Sequence, residues 1–489
     1  MNPSKTTGES TQPVMVDTKG RKVYVLSDLH MAAGLNTDGN YEGTENFYAD
    51  QSFVRFLDHL QQQADGKGAL LVINGDFIDF LRICTIPETP DDFRCWKEVL
   101  EQVGIQKELA ELESSILPKE KEFGLKTHDY KSVWKLYCCI RGHKAFFRRL
   151  ARWVADGNEL LVVQGNHDLE WHWPAVQAYL RVALERYCVE GGAGETVCRS
   201  MKARIRFFDD SLVLDGRVYI EHGHRYEKIT FPVGGPVLNN GTELNLPFGS
   251  FINRYLINQF ELSYPFLDNV RPTPNILNVL LKENFGKALR VITWELPAAL
   301  RRIPGQYIKY SLQYLVPLLL LVLLPVAAAI TTYFRLNRSK GQTLPFVEGL
   351  TIEHLLLCAL VYFLTHLLGR FFLSLLLKRE PPFSEEAKRI LKDNPTLDAV
   401  LFGHTHDPEQ TTPFADGENA GTKKQRYFNT GTWIPVFETS SADVRFDKTY
   451  TFITIDLTEK DPCKERLQRW NDDAGRVDPM LLNDKKKKK

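Results

Sequence analysis

Five short apolar runs in this sequence each end in residues that can bind a metal ion. With the residues that follow them they read RKVYVLSDLH, ALLVINGDF, ELLVVQGNHD, RVYIEHGH and DAVLFGHTHD, in that order. Their length predicts strands, and segments with helical spacing, such as FVRFLDHLQQQ and HKAFFRRLARWVADG, lie between the first three. Strands that alternate with helices predict a layered α/β fold, whose ligands gather at the loops beyond the strand ends.

The spacing within these motifs predicts pairs of ligands on one side of a strand. In an extended backbone alternate side chains point the same way, so Asp28 and His30 of SDLH would reach one ion together. His404 and His406 of GHTH would do the same if their backbone is extended. Neighbouring glycines such as Gly165 allow the close backbone approach that several ligands around a small volume require.

Each motif alone also has a purely structural explanation. A buried histidine often satisfies a hydrogen bond in the core, and an aspartate at a strand end often caps the next helix. Five such motifs in this order, each at the end of an apolar run, are difficult to explain without a shared metal site. We therefore expect one metal centre at the strand ends.

The ordered motifs D-x-H, GDxxD, GNHD, a middle histidine and GHxH resemble those of the calcineurin-like metallophosphoesterase superfamily. The resemblance covers residues 21–225 and 396–456, and it implies a layered β-sandwich flanked by helices. The implied ligands are Asp28, His30, Asp76 and His406 for one ion, and Asp76, Asn166, His222 and His404 for a second. We prefer His222 to His224 because it directly follows the apolar run and precedes a glycine.

The resemblance also implies a chemistry, the hydrolysis of a phosphoric ester by a hydroxide held between two divalent ions. A mixed aspartate, histidine and asparagine shell suits Mn²⁺, Fe or Zn²⁺ better than Mg²⁺ or Ca²⁺. His167 is not expected to bind metal; it would stabilise the charge at phosphorus or protonate the leaving oxygen, with Asp168 fixing its tautomer. Asp79 would support the centre from outside the ligand shell or cap a helix.

A long insertion separates the last two motifs, because His224 and His404 are 180 positions apart. Residues 310–334 carry no charge, and a second apolar run covers 352–377. Both exceed the roughly 20 residues that cross a bilayer, so we predict a transmembrane hairpin; a hairpin lying in the membrane interface is the alternative. The predicted segments are a disordered arm at 1–20, two parts of a metallophosphoesterase domain at 21–230 and 380–458, an amphipathic helical insert or lid at 231–308, the membrane hairpin at 309–379, and a polar basic tail at 459–489.

Other properties of the sequence bear on location and partners. Basic residues flank the catalytic side of the hairpin slightly more than its connector, which predicts an integral membrane protein with a cytoplasmic catalytic domain. The N-terminus lacks a secretory signal, so we expect reduced cysteines, although Cys188 and Cys198 are close enough in sequence to be bridged. The formal net charge is zero, which gives no reason to expect a nucleic-acid partner.

Three functions are compatible with these features. The first is a membrane-anchored dimetal phosphoesterase acting on a lipid-linked phosphodiester, pyrophosphate or phosphomonoester, with the lipid bilayer as a partner. The insert is similar in position to the acyl-binding cap of UDP-2,3-diacylglucosamine hydrolases, which favours this hypothesis. The second is an anchored phosphoesterase of a soluble nucleotide or phosphoprotein. The third, a non-enzymatic membrane scaffold, is least favoured because none of the implied ligands is missing.

Overall fold

The computed structural model describes residues 12–258 and 382–482, with gaps at 65, 233–234, 239, 412–424, 439–442, 445–447, 465 and 481. Between 259 and 381 it describes only isolated residues and short runs. The chain divides into two units, one formed by residues 1–297 and 382–489 and the other by residues 298–381. The elements and the site described below belong to the first unit.

The secondary structure of the first unit alternates between strands and helices in its amino-terminal half. The described strands are β1 Val14–Val16, β2 Val23–Leu26, β3 Leu70–Asn74, β4 Glu159–Val163, β5 Ile205–Phe208, β6 Ser211–Leu214, β7 Val218–Glu221, β8 Val270–Arg271, β9 Ala399–Phe402, β10 Glu409–Gln410, β11 Arg426–Asn429, β12 Phe437–Glu438, β13 Asp443–Val444, β14 Thr451–Ile455, β15 Leu467–Asn471 and β16 Arg476–Pro479. The described helices are α1 Asp50–Gln62, α2 Pro90–Glu101, α3 Leu109–Ser115, α4 Pro118–Phe123, α5 Asp129–Gly142, α6 Lys144–Ala155, α7 Pro174–Glu190, α8 Glu195–Met201, α9 Phe248–Ile252 and α10 Phe383–Asp393.

Two mixed sheets form the centre of this α/β unit. One has seven strands in the order β16-β15-β14-β2-β3-β4-β5, and the other has six in the order β1-β6-β7-β9-β11-β10. Strands β2, β3 and β4 are parallel neighbours in the first sheet, and β7 and β9 are parallel neighbours in the second. The carboxyl ends of parallel neighbours meet at one edge of a sheet, so the loops after these strands are brought close together.

The apolar runs are continuous because both faces of the central strands are buried. In β2, Val23 and Val25 belong to the core between the two sheets, whereas Tyr24 and Leu26 pack into a larger core with the helices. The outer face of the second sheet packs against α10 through Ala387 and Leu391. The unit is therefore layered as helices, sheet, sheet and helix, and the strand ends carry the predicted ligands along the edge of the sandwich.

The predicted transmembrane hairpin at 309–379 is corrected by the structure. Within the part of the chain that the structure describes, no helix is both long enough and apolar enough to cross a membrane. The two apolar runs themselves, 310–334 and 352–377, lie largely outside the described residues. An apolar run predicts a membrane span only if it folds as one continuous helix of about 20 residues, and sequence hydropathy alone does not establish that. The predictions of a transmembrane helix and of an integral membrane location depended on this hairpin, so they are corrected with it.

One cysteine pair differs from the sequence-based expectation. Cys188 near the end of α7 and Cys198 in α8 form a disulfide, and their Cα atoms lie 5.7 Å apart, within the usual range for such a bond. The expectation of reduced cysteines is therefore wrong for this pair.

A buried ionic cluster stabilises the loop that follows the D-x-H motif. The Glu45 carboxylate accepts hydrogen bonds from the main-chain N–H groups of Gly34 at 2.7 Å and Phe47 at 2.8 Å. The His143 ring, which is fully buried, lies between Glu45 and Asp50, with Nε2 at 3.1 Å from Glu45 and Nδ1 at 3.0 Å from Asp50. Burial lowers the pKa of His143, but the two carboxylates outweigh this effect and raise the pKa to about 10.

Replacing His143 with glutamine should destabilise the fold by about 3–5 kcal/mol, because it leaves the buried Glu45 carboxylate without its charged partner. The folded-state pKa lies above the unfolded value, so this stabilisation is present below about pH 6.5 and is lost as the pH rises through about 10. Urea unfolding from pH 6 to 10 should show a steeper loss of stability in the wild type than in His143→Gln. The half-buried His59 in α1 provides a control, since His59→Gln should cost less than about 1 kcal/mol.

Candidate metal centre

The structure brings the predicted ligands together at one edge of the sandwich. Each lies in the loop that directly follows a strand: Asp28 and His30 after β2, Asp76 after β3, Asn166 after β4, His222 after β7, and His404 and His406 after β9. Main-chain hydrogen bonds tie these loops to one another, as in the 2.9 Å bond from His30 N to Asp76 O and the 3.0 Å bond from Gly403 N to His222 O. Residues that are hundreds of positions apart in the chain are thereby held in one small volume.

The backbone is left-handed at five of the seven predicted ligands, which the expectation of extended strands did not anticipate. Positive φ angles occur at Asp28 (54°), His30 (46°), Asp76 (50°), His404 (70°) and His406 (59°). Non-glycine residues rarely adopt this region, at a cost of about 1–3 kcal/mol each, and such residues cluster at functional sites. The extended geometry expected for D-x-H and GHTH is therefore wrong. Asp28 and His30 still belong to one possible metal-binding group, whereas His404 and His406 belong to different groups among the described residues.

Three overlapping groups of described side chains could each hold a metal ion. They are Asp28, His30 and His406; His30, Asp76 and His167; and Asp76, His222 and His404, with the ligand atoms of each group within 4.8 Å of one another. In the first group, His406 Nε2 lies 3.3 Å from Asp28 Oδ1 and 2.9 Å from His30 Nε2. The buried aspartates and histidines of this centre could thus bind metal ions.

Unsatisfied polar atoms support this assignment. Asn166 Oδ1 is buried and forms no hydrogen bond with any residue that the structure describes. Asp28 Oδ1 and His222 Nε2 are also buried without a well-formed hydrogen bond, and their close contacts are with other predicted ligands, His406 Nε2 at 3.3 Å and Asp76 Oδ2 at 3.1 Å. Buried polar atoms are nearly always hydrogen-bonded, because leaving them unpaired costs free energy. A cation that accepts a lone pair from each of these atoms would remove that cost. Oxygen and imidazole donors of this kind are ligands that metal ions use in proteins.

The charge state of the aspartates also suits metal binding. Burial raises the pKa of Asp76, but His222, His167 and His30 outweigh it and hold that pKa well below its ordinary value. Burial likewise raises the pKa of Asp28, and His30 and His406 lower it below its ordinary value. Both carboxylates are therefore ionised at neutral pH, as metal ligands must be.

Two glycines permit the tight packing of these loops. A Cβ atom on Gly165 would lie 2.2 Å from Asp76 Oδ1. A Cβ atom on Gly75, where φ is 82°, would lie 2.2 Å from His222 Nδ1. A side chain at either position would displace a predicted ligand, so the loops can approach this closely only with glycine there.

His167 is held by Asp79 and not by Asp168. The Asp79 carboxylate contacts His167 Nδ1 at 2.8 Å and His30 Nδ1 at 2.9 Å, so one carboxylate orients both rings. Asp168 is fully buried and accepts hydrogen bonds from Gly165 N at 2.6 Å and Phe77 N at 2.8 Å. Asp79 therefore has the role that was predicted for Asp168, fixing the His167 tautomer. Asp168 instead joins the loops after β3 and β4 through these hydrogen bonds.

The two histidines of HGH occupy different places. His222 Nε2 lies 3.1 Å from Asp76 Oδ2, and its Nδ1 contacts the Asn74 carbonyl oxygen at 2.8 Å. His224 starts the 3-10 turn His224–Tyr226, with its ring 5.5 Å from that of His222 and 6.4 Å from that of His404. His224 belongs to none of the ligand groups among the described residues.

Sequence reasoning missed several residues that support the centre. Ser27 Oγ donates to Asp28 Oδ2, and Thr432 Oγ1 donates to the Asp28 main-chain oxygen at 2.8 Å. Glu227 contacts His404 Nε2 at 3.0 Å. Ser27 could have been suspected because it adjoins D-x-H, but no sequence pattern marks Thr432 or Glu227, since tertiary packing alone brings them to the centre.

Comparison with known proteins does not assign the chain to a family. No protein-family model matches the sequence, and no curated protein matches it significantly. The function of this chain is therefore inferred from the geometry of the centre.

Proposed function

We propose that this protein hydrolyses phosphoric esters at a centre of two divalent metal ions. The observation that carries the proposal is the position of Asp76. Its Oδ2 atom lies 3.5 Å from His30 Nε2 on one side and 3.1 Å from His222 Nε2 on the other. Asp76 thereby belongs to two ligand groups, one containing His30 and one containing His222, and a carboxylate placed in this way can bridge two cations.

The ligand sets that we propose are those implied by the sequence motifs. Asp28, His30, Asp76 and His406 would hold one ion, and Asp76, Asn166, His222 and His404 would hold the other. When bound, a pair of divalent ions lowers the pKa of water and neutralises charge on phosphoryl oxygens. This chemistry suits the attack of water on a phosphoric ester.

His167 is the residue that we propose as the proton donor. Its Nδ1 atom is held by Asp79, so the proton that it transfers is at Nε2, and its side chain remains 13% exposed beside the centre. In the metal-free chain, burial lowers the pKa of His167, but Asp79 and Asp76 outweigh this effect and raise the pKa above its ordinary value. A protonated ring can donate to the leaving oxygen as water attacks phosphorus and the ester P–O bond breaks.

Two phenyl rings favour an ester with an apolar organic group. Phe231 lies 6.4 Å from the His224 ring, and Phe383 lies 5.9 Å from the His404 ring, measured between ring centroids. Both side chains are half-buried. Phe383 is thus next to His404 of the second ligand set, and Phe231 is next to His224, which is compatible with an apolar or aromatic substituent as in lipid-linked or aryl esters. We keep a lipid-linked ester as a proposed substrate, but we no longer propose a membrane anchor.

The proposal is tested by an ester hydrolysis assay on the full-length chain. The protein is stripped of metal, reloaded with Mn²⁺, and assayed with bis-p-nitrophenyl phosphate and p-nitrophenyl phosphate. We expect turnover of at least one ester that disappears on chelation and returns on reloading, and inhibition by a phospholipid presented in detergent if the substrate is lipid-linked. Absence of turnover of both esters after reloading would contradict the proposed activity.

A further inference from the structure

The histidines of the centre share one feature that extends beyond the ligand groups. In each of four rings, one nitrogen contacts an acceptor outside the predicted ligand set: His30 Nδ1 and His167 Nδ1 contact Asp79, His222 Nδ1 contacts Asn74 O, and His404 Nε2 contacts Glu227. Such an acceptor fixes the tautomer and the ring orientation of a metal-binding histidine and raises its basicity. In each of these rings, the other nitrogen is therefore the one that can contact a further partner.

Glu227 differs from the other acceptors in where it lies. Asp79 is fully buried, whereas the Glu227 side chain is 33% exposed. Glu227 directly follows the 3-10 turn His224–Tyr226, at the start of the long connection between β7 and α10. It belongs to none of the ligand groups among the described residues. Its carboxylate nevertheless lies 3.0 Å from His404 Nε2.

The His404 main chain is fixed independently of Glu227. Its N–H donates to Asp28 Oδ2 at 3.0 Å, and its backbone is held at a φ of 70°. These contacts place the Cα and Cβ atoms but leave the ring free to turn about its side-chain torsions. The rings of His222 and Phe383 lie 5.2 and 5.9 Å from the His404 ring, and Glu227 provides its hydrogen-bond acceptor. A proton on Nε2 that is donated to Glu227 leaves the lone pair on Nδ1.

We propose that Glu227 is a positioning residue that sets the affinity of the second ion by holding the His404 ring. This inference rests on the proposed dimetal function, because it assigns His404 to the second ion. The role of Glu227 also connects the insertion to the centre, because Glu227 lies at the start of the insertion and contacts the His404 ring.

The test is a Mn²⁺ titration of the metal-stripped full-length protein by calorimetry, with ion content measured by elemental analysis. In Glu227→Ala the dissociation constant of one ion should rise about 10- to 100-fold while that of the other is unchanged. Glu227→Gln keeps a neutral acceptor for Nε2–H, so its effect should stay within about threefold. Glu243→Ala is the matched control, because Glu243 lies in the same connection but pairs with Lys126 at 3.0 Å and should leave both ions unaffected.

Ester hydrolysis gives a second readout that a general loss of structure would not reproduce. Turnover of Glu227→Ala should be low at limiting Mn²⁺ and should return to within about threefold of the wild-type kcat at saturating Mn²⁺, because the substitution weakens ion binding and leaves the proton donor in place. Thermal unfolding of the metal-free variant should match that of the metal-free wild type. A kcat that excess Mn²⁺ does not restore would overturn the proposed role.

The titration separates failure of this inference from failure of the proposed function. If the wild type binds two ions, His404→Ala binds one, and Glu227→Ala binds both as tightly as the wild type, the role of Glu227 is refuted and the dimetal centre stands. Equal weakening of both ions in Glu227→Ala, or equal losses in the alanine and glutamine variants, would also refute it. If the wild type binds no Mn²⁺, the proposed function itself fails.

Discussion

Replacing Asp76 with alanine should remove both metal ions and abolish ester hydrolysis. Asp76 is 1% exposed, and its Oδ2 atom lies between His30 Nε2 and His222 Nε2. Its Oδ1 atom accepts the main-chain N–H of His167 at 2.9 Å, so the same carboxylate also positions the loop of the proton donor. We expect turnover to fall by more than about a thousandfold, because charge stabilisation and positioning are lost together.

Metal analysis and bis-p-nitrophenyl phosphate turnover of the same preparation check this expectation. Asp76→Asn serves as a second variant of nearly the same shape, so that a folding defect of the alanine variant can be recognised by circular dichroism. Asp58→Ala is the control, because Asp58 is 55% exposed and pairs with Arg149 in the helical layer. Full metal content and activity in Asp76→Asn would show that Asp76 does not bridge two ions.

The second large effect is expected at His167. His167→Ala should lower turnover by about 10²- to 10⁴-fold, the usual contribution of general acid catalysis, while the metal content stays at the wild-type value. The physical reason is that the proposed ligands of both ions remain, whereas the proton donor to the leaving oxygen is gone. An ester with a good leaving group, such as p-nitrophenolate, needs less protonation, so the loss should be smaller for it than for a phenyl ester.

The metal content of His167→Ala distinguishes a proton donor from a metal ligand. His167, His30 and Asp76 form one of the three possible metal-binding groups, so the geometry alone permits His167 to be a ligand. Loss of an ion in His167→Ala would assign His167 to the metal shell and contradict its role as proton donor. Equal losses with p-nitrophenyl and phenyl esters would contradict that role as well.

The sequence predicted which residues meet at the centre but not how the backbone presents them. The residues could be identified because each ends an apolar strand, and parallel strands bring their carboxyl ends to one edge. The left-handed conformation at Asp28 and His30 could not be read from the sequence, since non-glycine residues adopt it only where the surrounding structure forces it. The extended geometry inferred for Asp28 with His30 and for His404 with His406 was therefore wrong. The first pair shares one possible metal-binding group, and the second pair does not.

The contacts around the ligands were the least predictable part of the centre. The aspartate of GNHD adjoins His167 in sequence, yet Asp79 of GDFID reaches the ring, because the loops after β3 and β4 pack against each other. Glu227 carries no sequence signal, since its contact with His404 joins residues 177 positions apart. The membrane hairpin is corrected for another reason: among the described residues no helix is long and apolar enough to cross a membrane, and apolar composition does not by itself specify one.

The most direct test of the central claim is the number of metal ions that the full-length chain binds. The protein would be stripped by chelation, reloaded with excess Mn²⁺, passed through a desalting column and analysed for metal and protein in the same sample. The bridging position of Asp76 predicts about two ions per chain in the wild type and fewer than about 0.2 in Asp76→Ala. A wild-type chain that retains no metal after separate reloading with Mn²⁺, Zn²⁺ and Fe²⁺ would contradict the dimetal centre and the function proposed from it.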